Sequence, residues 1–159
     1  MGAAASIQCK LTAVQEARPP QLRILSALLR FGGVVVIMAF PTMLLPAEWM
    51  AASHRWLGLG ELPRAPVVEY LARSVSALYG FHGVLLLIVA RDPQRYRPIV
   101  QYLAAMNILL GAMLLAIDLH AGMPAWWTLA EGPGIIALGV MLAWLLRSVP
   151  PSVPPPRTE

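Results

Sequence analysis

The chain has 159 residues, 58% hydrophobic and 13% charged, about half the charged share of a soluble domain. Its apolar residues gather into four blocks near the ~20 residues that a bilayer crossing needs, which leaves no room for a separate soluble domain. The net charge of +4 does not indicate a nucleic-acid binder, because Lys and Arg sit at the ends of the blocks and form no basic stripe with interleaved aromatics. Cys9 is the single cysteine, so an internal disulfide and a dithiol redox pair are both excluded.

Residues 1–20 read as a polar N-terminal segment closed by Arg18, Pro19 and Pro20. They lack the apolar core of a cleaved secretory signal, so the first block is expected to act as an uncleaved anchor. The start Met1-Gly2-Ala3-Ala4-Ala5-Ser6 matches a myristoylation pattern, with Cys9 as a palmitate acceptor; the pattern is short and chance explains it better.

The first span is predicted over residues 21–45, with Arg23 and Arg30 on its N-terminal side and a bend at Pro41, where the ladder loses a hydrogen bond. Residues 46–57 read as a short interfacial helix: Trp49, Met50, Ser53, Trp56 and Leu57 recur at helical spacing, while Glu48, His54 and Arg55 face elsewhere. The second span, residues 66–90, opens with Pro66 at its first position. Glu69, Arg73, Ser76, Gly80 and Gly83 share one face of it; small and polar, that face turns toward protein.

A basic turn, Arg91 to Arg97, leads into the third span at residues 98–121, where Asn107, Gly111, Leu114 and Asp118 fall together. A fourth helix starting at Pro133 would reach only about 21 Å, against a hydrocarbon core of roughly 30 Å. The span is therefore assigned to residues 124–146, with Pro133 as an internal kink and Glu131 already inside. Residues 21–147 form the membrane domain, and 148–159 a proline-rich tail. Nine of the 12 Lys and Arg residues lie on the side of the two termini, which predicts that both ends are cytoplasmic. The fold class is all-α, a four-transmembrane-helix bundle with an interfacial helix between spans one and two.

Four charged residues inside the spans fall near one surface. Arg73 and Glu131 each lie about 10 Å below the same surface, and Glu69 and Asp118 about 5 Å below it. Charges at such depths face the bundle and pair with one another, so Glu69, Arg73, Asp118 and Glu131 are expected to form one buried network. Its structural reading is polar glue between helices; its functional reading is a surplus of carboxylates able to hold or relay a proton. His54, His120, Trp126 and Trp127 are expected to rim an outer pocket above it. His54, His120 and Asp118 lack a tight metal-ligand spacing, and His82 stands alone in mid-span without a second axial ligand for a haem. No metal or catalytic residue is assigned, as no triad, zincin motif or nucleotide fingerprint is present.

Arg73, Ser76, Tyr79 and Gly80, the basic turn Arg91 to Arg97, and then Gly111, Asp118, Gly122-Met123-Pro124 and Glu131 together resemble the DoxX-like superfamily of small four-helix bacterial membrane proteins, in its branch of unknown function. The resemblance covers about Val67 to Arg147. It implies a bacterial inner-membrane location and, because some relatives are membrane subunits of quinone-linked oxidoreductases, a quinone or redox-partner role. The chain departs from a self-sufficient redox protein, with no cysteine pair and no evident cofactor ligands. The expected function is a non-catalytic accessory or small-ligand-binding subunit, in contact with the bilayer, protein subunits of a membrane complex and a quinone or lipid-like ligand. A quinone-linked or acid–base enzyme on a lipid-like substrate is the alternative, and an oligomeric proton-coupled transporter comes third.

Overall fold

The computed structural model describes residues 19–149. The N-terminal segment with Cys9 and the myristoylation pattern, and the proline-rich tail from Pro150, lie outside the described residues. Among the described residues six helices follow in order: α1 (Pro20–Ile37), α2 (Ala39–Met43), α3 (Ala47–Trp56), α4 (Pro66–Val89), α5 (Arg97–Ala121) and α6 (Ala125–Arg147). Four runs, Pro20–Met43, Pro66–Val89, Arg97–Ala121 and Ala125–Arg147, are long and apolar enough to cross a membrane. The protein is a multi-pass membrane protein built as an all-helical bundle.

Proline marks the start of every span. Pro20 and Pro66 are the first residues of α1 and α4, Pro98 is the second of α5, and Pro124 immediately precedes α6. Each stands where the missing N–H would have had no intrahelical partner. α5 ends at Gly122, whose left-handed backbone (φ +66°) turns its N–H back to the Asp118 carbonyl. α6 continues through Pro133 without interruption.

The first span differs from its predicted form. Pro41 cannot donate to the Ile37 carbonyl, and one turn upstream the helix stops at Met38, whose N–H tightens onto Val35 O at 3.3 Å. The predicted bend is thus a break between α1 and α2, and the span ends at Met43 rather than Leu45. The interfacial helix forms as α3, and its exit is tied down locally. Arg55 pairs with Glu61 at 3.2 Å, and His54 Nδ1 lies 2.9 Å from the Gly60 carbonyl. A carbonyl only accepts, so Nδ1 carries the proton.

The bundle is two hairpins. α4 packs along α1 and α2, α5 packs along α6, and the two pairs meet chiefly through α1 and α6. Within each hairpin the backbones nearly touch, as small residues allow in a membrane. A methyl group on Gly83 would sit 2.7 Å from Ile37 N and 2.8 Å from Gly33 O, and one on Gly111 would sit 2.7 Å from Gly132 O. Between the hairpins, the buried apolar core lies wholly in the half of the bundle nearest the described termini. It comprises Leu22, Leu25 and Leu29 of α1, Leu86 and Val89 of α4, Val100 and Leu103 of α5, and Leu142, Leu145 and Leu146 of α6, with Ala90, Ala104 and Val149. At the opposite end, where α3 lies, the described residues share no such core. Phe31, Phe81, Leu119 and Trp144 are exposed on the outside, as suits a surface bathed in hydrocarbon.

Candidate functional site

Arg73 is the best-anchored polar side chain at the α3 end. Nε and Nη2 donate to Glu69 Oε1 at 3.0 and 2.6 Å, the pair being one helical turn apart on α4. Nη1 donates to Met43 O, and Nη2 reaches Leu45 O at 3.2 Å. Those carbonyls belong to the end of the broken first span, where helix acceptors are otherwise orphaned. Four of the five guanidinium N–H groups are thereby engaged. Arg73 clamps α4 to the end of α2, and the Ser76 hydroxyl reinforces the contact by donating to Thr42 Oγ1 at 3.2 Å, the Thr42 proton being held by the Ala39 carbonyl at 2.6 Å.

Both donors to Glu69 use Oε1, which leaves Oε2 available as an acceptor. Glu69 also lines a cleft of about 340 Å³ between α3 and the start of α4, together with Glu48, Arg64, Met50, Val68 and Ala72. The cleft exists because Leu62 to Ala65 is non-helical between α3 and α4, and the prolines at 63 and 66 disfavour a helix at the residues before them. In the sequence Glu48 falls off the apolar face of the interfacial helix, and Arg64 counts only toward the charge of the outer side. Their signal was positional, since Arg64 lies between two prolines and Glu48 in the first turn of a surface helix.

The expected four-residue network is not assembled. Arg73 and Glu69 pair, but among the described residues neither Asp118 nor Glu131 forms an ion pair with Arg73. Glu131 Oε2 instead accepts the Trp127 indole N–H at 2.7 Å, one turn away on its own helix. Asp118 is 5% exposed, and its Oδ2 has no hydrogen-bond partner. Depth arithmetic placed all four residues near one surface but said nothing about azimuth. The two acids ride on the second hairpin, whose helices do not pack extensively on α4.

The predicted rim is likewise divided. His54 is committed to the α3 exit loop, His120 is exposed at the end of α5, and Trp126 and Trp127 stack edge-to-face at 5.5 Å on α6. None of these four lines the α3–α4 cleft or a second cavity near Asp118. The described residues contain no group of three or more His, Cys, Asp or Glu able to hold a metal ion. His82 is half-buried, on the stripe that continues through Leu86 and Val89 toward the core. No family model matches the chain, and neither does any curated protein or solved structure.

Proposed function

We propose that the protein is a non-catalytic accessory protein of the bacterial inner membrane, with both termini cytoplasmic, that holds a lipid-like amphiphile in the cleft beneath α3. The observation that carries this reading is the lining of the cleft. One guanidinium and two carboxylates, Arg64, Glu48 and Glu69, share it with Met50, Val68 and Ala72. The combination suits a zwitterionic headgroup, its phosphate on Arg64 and its ammonium on Glu48 and the free oxygen of Glu69, with a chain along the apolar wall.

Arg73 acts here as a positioning residue, since its donors are engaged by Glu69 and backbone carbonyls. The cleft lining contains no Ser, Thr, Cys, His or Lys, so no hydroxyl, thiol or amine nucleophile and no imidazole base stands ready there, and its two carboxylates are read as ligands for a cationic headgroup. The DoxX-like resemblance belongs to the same proposal and supplies its cellular setting, a subunit beside a larger membrane complex. A quinone offers neither a phosphate nor an ammonium, and the charged lining favours the phospholipid-like ligand over it.

Native mass spectrometry of gently extracted full-length protein tests the reading. Wild type is expected to retain a zwitterionic phospholipid, and Arg64→Glu to reduce that retention roughly tenfold with helix content unchanged. Equal retention by the two proteins sinks it. Recovery of a quinone in place of a phospholipid transfers the reading to a redox-linked subunit.

A further inference from the structure

The second hairpin carries a separate cavity, of about 330 Å³, at the junction of α5 and α6. Asp118 and Thr128 line it beside Leu119, Met123 and Leu129. Both polar residues are more than nine-tenths buried, at 5% and 7% exposure. Asp118 Oδ2 has no partner in the protein, and Thr128 Oγ1, which gives its proton weakly to Pro124 O at 3.4 Å, keeps its lone pairs free to accept. A buried carboxylate oxygen without a donor is costly in hydrocarbon. Among the residues lining this cavity none is cationic.

From this juxtaposition we infer that Asp118 and Thr128 form a binding site for an N–H-bearing ammonium group, distinct from the cleft beneath α3. The site offers a carboxylate and the lone pairs of a hydroxyl whose single proton is turned to Pro124 O, so it selects a ligand that brings hydrogens and positive charge. A divalent ion would require six or more oxygen ligands, whereas an ammonium needs only two or three acceptors and tolerates apolar walls around its methylenes. Asp118 lies in the last turn of α5, the negative end of that helix. Leu119 and Leu129, 69% and 71% exposed, flank the opening, so the cavity is reached from the bundle surface at headgroup level. Two sources present this chemistry there: the primary amine of a lipid headgroup, and a free amine in the aqueous phase.

The test uses full-length protein in nanodiscs that mix phosphatidylethanolamine, which has N–H donors, with phosphatidylcholine, which has none. Native mass spectrometry is expected to show ethanolamine lipid retained about tenfold over choline lipid by wild type, with the preference lost in Asp118→Asn and reduced in Thr128→Val. If the free amine is the occupant, no lipid preference appears, and ethanolamine in solution raises the thermal midpoint of wild type but not of Asp118→Asn. Absence of both effects in wild type, or their survival in Asp118→Asn, overturns the inference. Should Asp118→Asn not fold, Leu129→Trp, which fills the cavity and leaves the carboxylate in place, must abolish the effect. Arg64→Glu is expected to leave this selectivity intact, so failure here and failure of the α3 cleft are told apart.

Discussion

In the first hairpin, the arginine that caps a neighbouring helix end lies about 10 Å along α4 and brings Glu69 as a counter-ion. In the second, Arg97 caps the end of α6 from the first residue of α5, donating to Val149 O at 2.8 Å and Leu146 O at 3.0 Å, with carbonyls as its hydrogen-bond acceptors. The difference follows from where each partner helix stops. The first span ends with α2 at Met43, which leaves the Met43 and Leu45 carbonyls beside the α4 face, and their cap comes from inside the span. A charge at that depth requires neutralisation. α6 ends near the basic turn, where a guanidinium can keep part of its hydration. The acids of the second hairpin, Asp118 and Glu131, lie at the opposite end of that hairpin from Arg97; Glu131 accepts from Trp127, and Asp118 Oδ2 has no partner in the protein.

What the hairpins share can be broken most severely at their glycines. Gly83→Ala and Gly111→Ala each push a methyl group to 2.7 Å from backbone atoms of the neighbouring helix, which cannot move aside as a side-chain tip would. Each is expected to lower stability by about 1–3 kcal/mol in SDS-titration unfolding, and Gly83→Leu is expected to prevent the first hairpin from closing. Gly134→Ala, with nothing within 4 Å, is the internal control and should be neutral or stabilising by up to about 1 kcal/mol. Equal effects at positions 83 and 134 would show that the hairpins are not held backbone to backbone.

The arginines come next in size and sharpen the contrast. Arg73→Met strands Glu69 and uncaps two carbonyls, at an expected cost of about 1–3 kcal/mol, moderated by the partial exposure of the pair. Arg97→Met uncaps two carbonyls without stranding an acid and should cost about 1–2 kcal/mol. Adding Glu69→Leu to Arg73→Met is expected to recover part of the loss; no recovery would mean that the carbonyl caps, not the ion pair, account for the role of Arg73. Trp127→Phe, which removes the indole hydrogen bond to the Glu131 carboxylate, should cost about 1 kcal/mol by the same titration.

The architecture was legible because its signals are one-dimensional. Apolar run length, a proline at each span start and Gly122 at a helix end located the elements to within a residue or two, and the Trp49–Trp56 spacing located α3. The site was legible only in depth. Counting rise along a helix put Arg73 level with Glu131, but which helices are neighbours depends on how two glycine-packed hairpins are set against each other, and that information is not carried by any one span. Arg73 with Glu69 was readable because both lie on one helix at a spacing of four. Glu131 with Trp127 has the same spacing on α6 and is readable in the same way, as a carboxylate facing an indole N–H one turn away.

The smallest expected effect calibrates the proposed ammonium site. Two buried side-chain oxygens among the described residues have no partner, Ser26 Oγ in the first hairpin and Asp118 Oδ2 in the second. Ser26 is 7% exposed and sits in α1 among the leucines of the shared core, with neither described cavity beside it. Removing its hydroxyl removes an unmet hydrogen-bonding need, so Ser26→Ala is expected to be neutral or stabilising by up to about 1 kcal/mol, with no change in retained lipid. A loss larger than that would show that Ser26 finds an acceptor, for instance a carbonyl one turn earlier in α1. An unpartnered oxygen would then say little about ligands in this protein, and Asp118 would have to be judged on its amine selectivity alone.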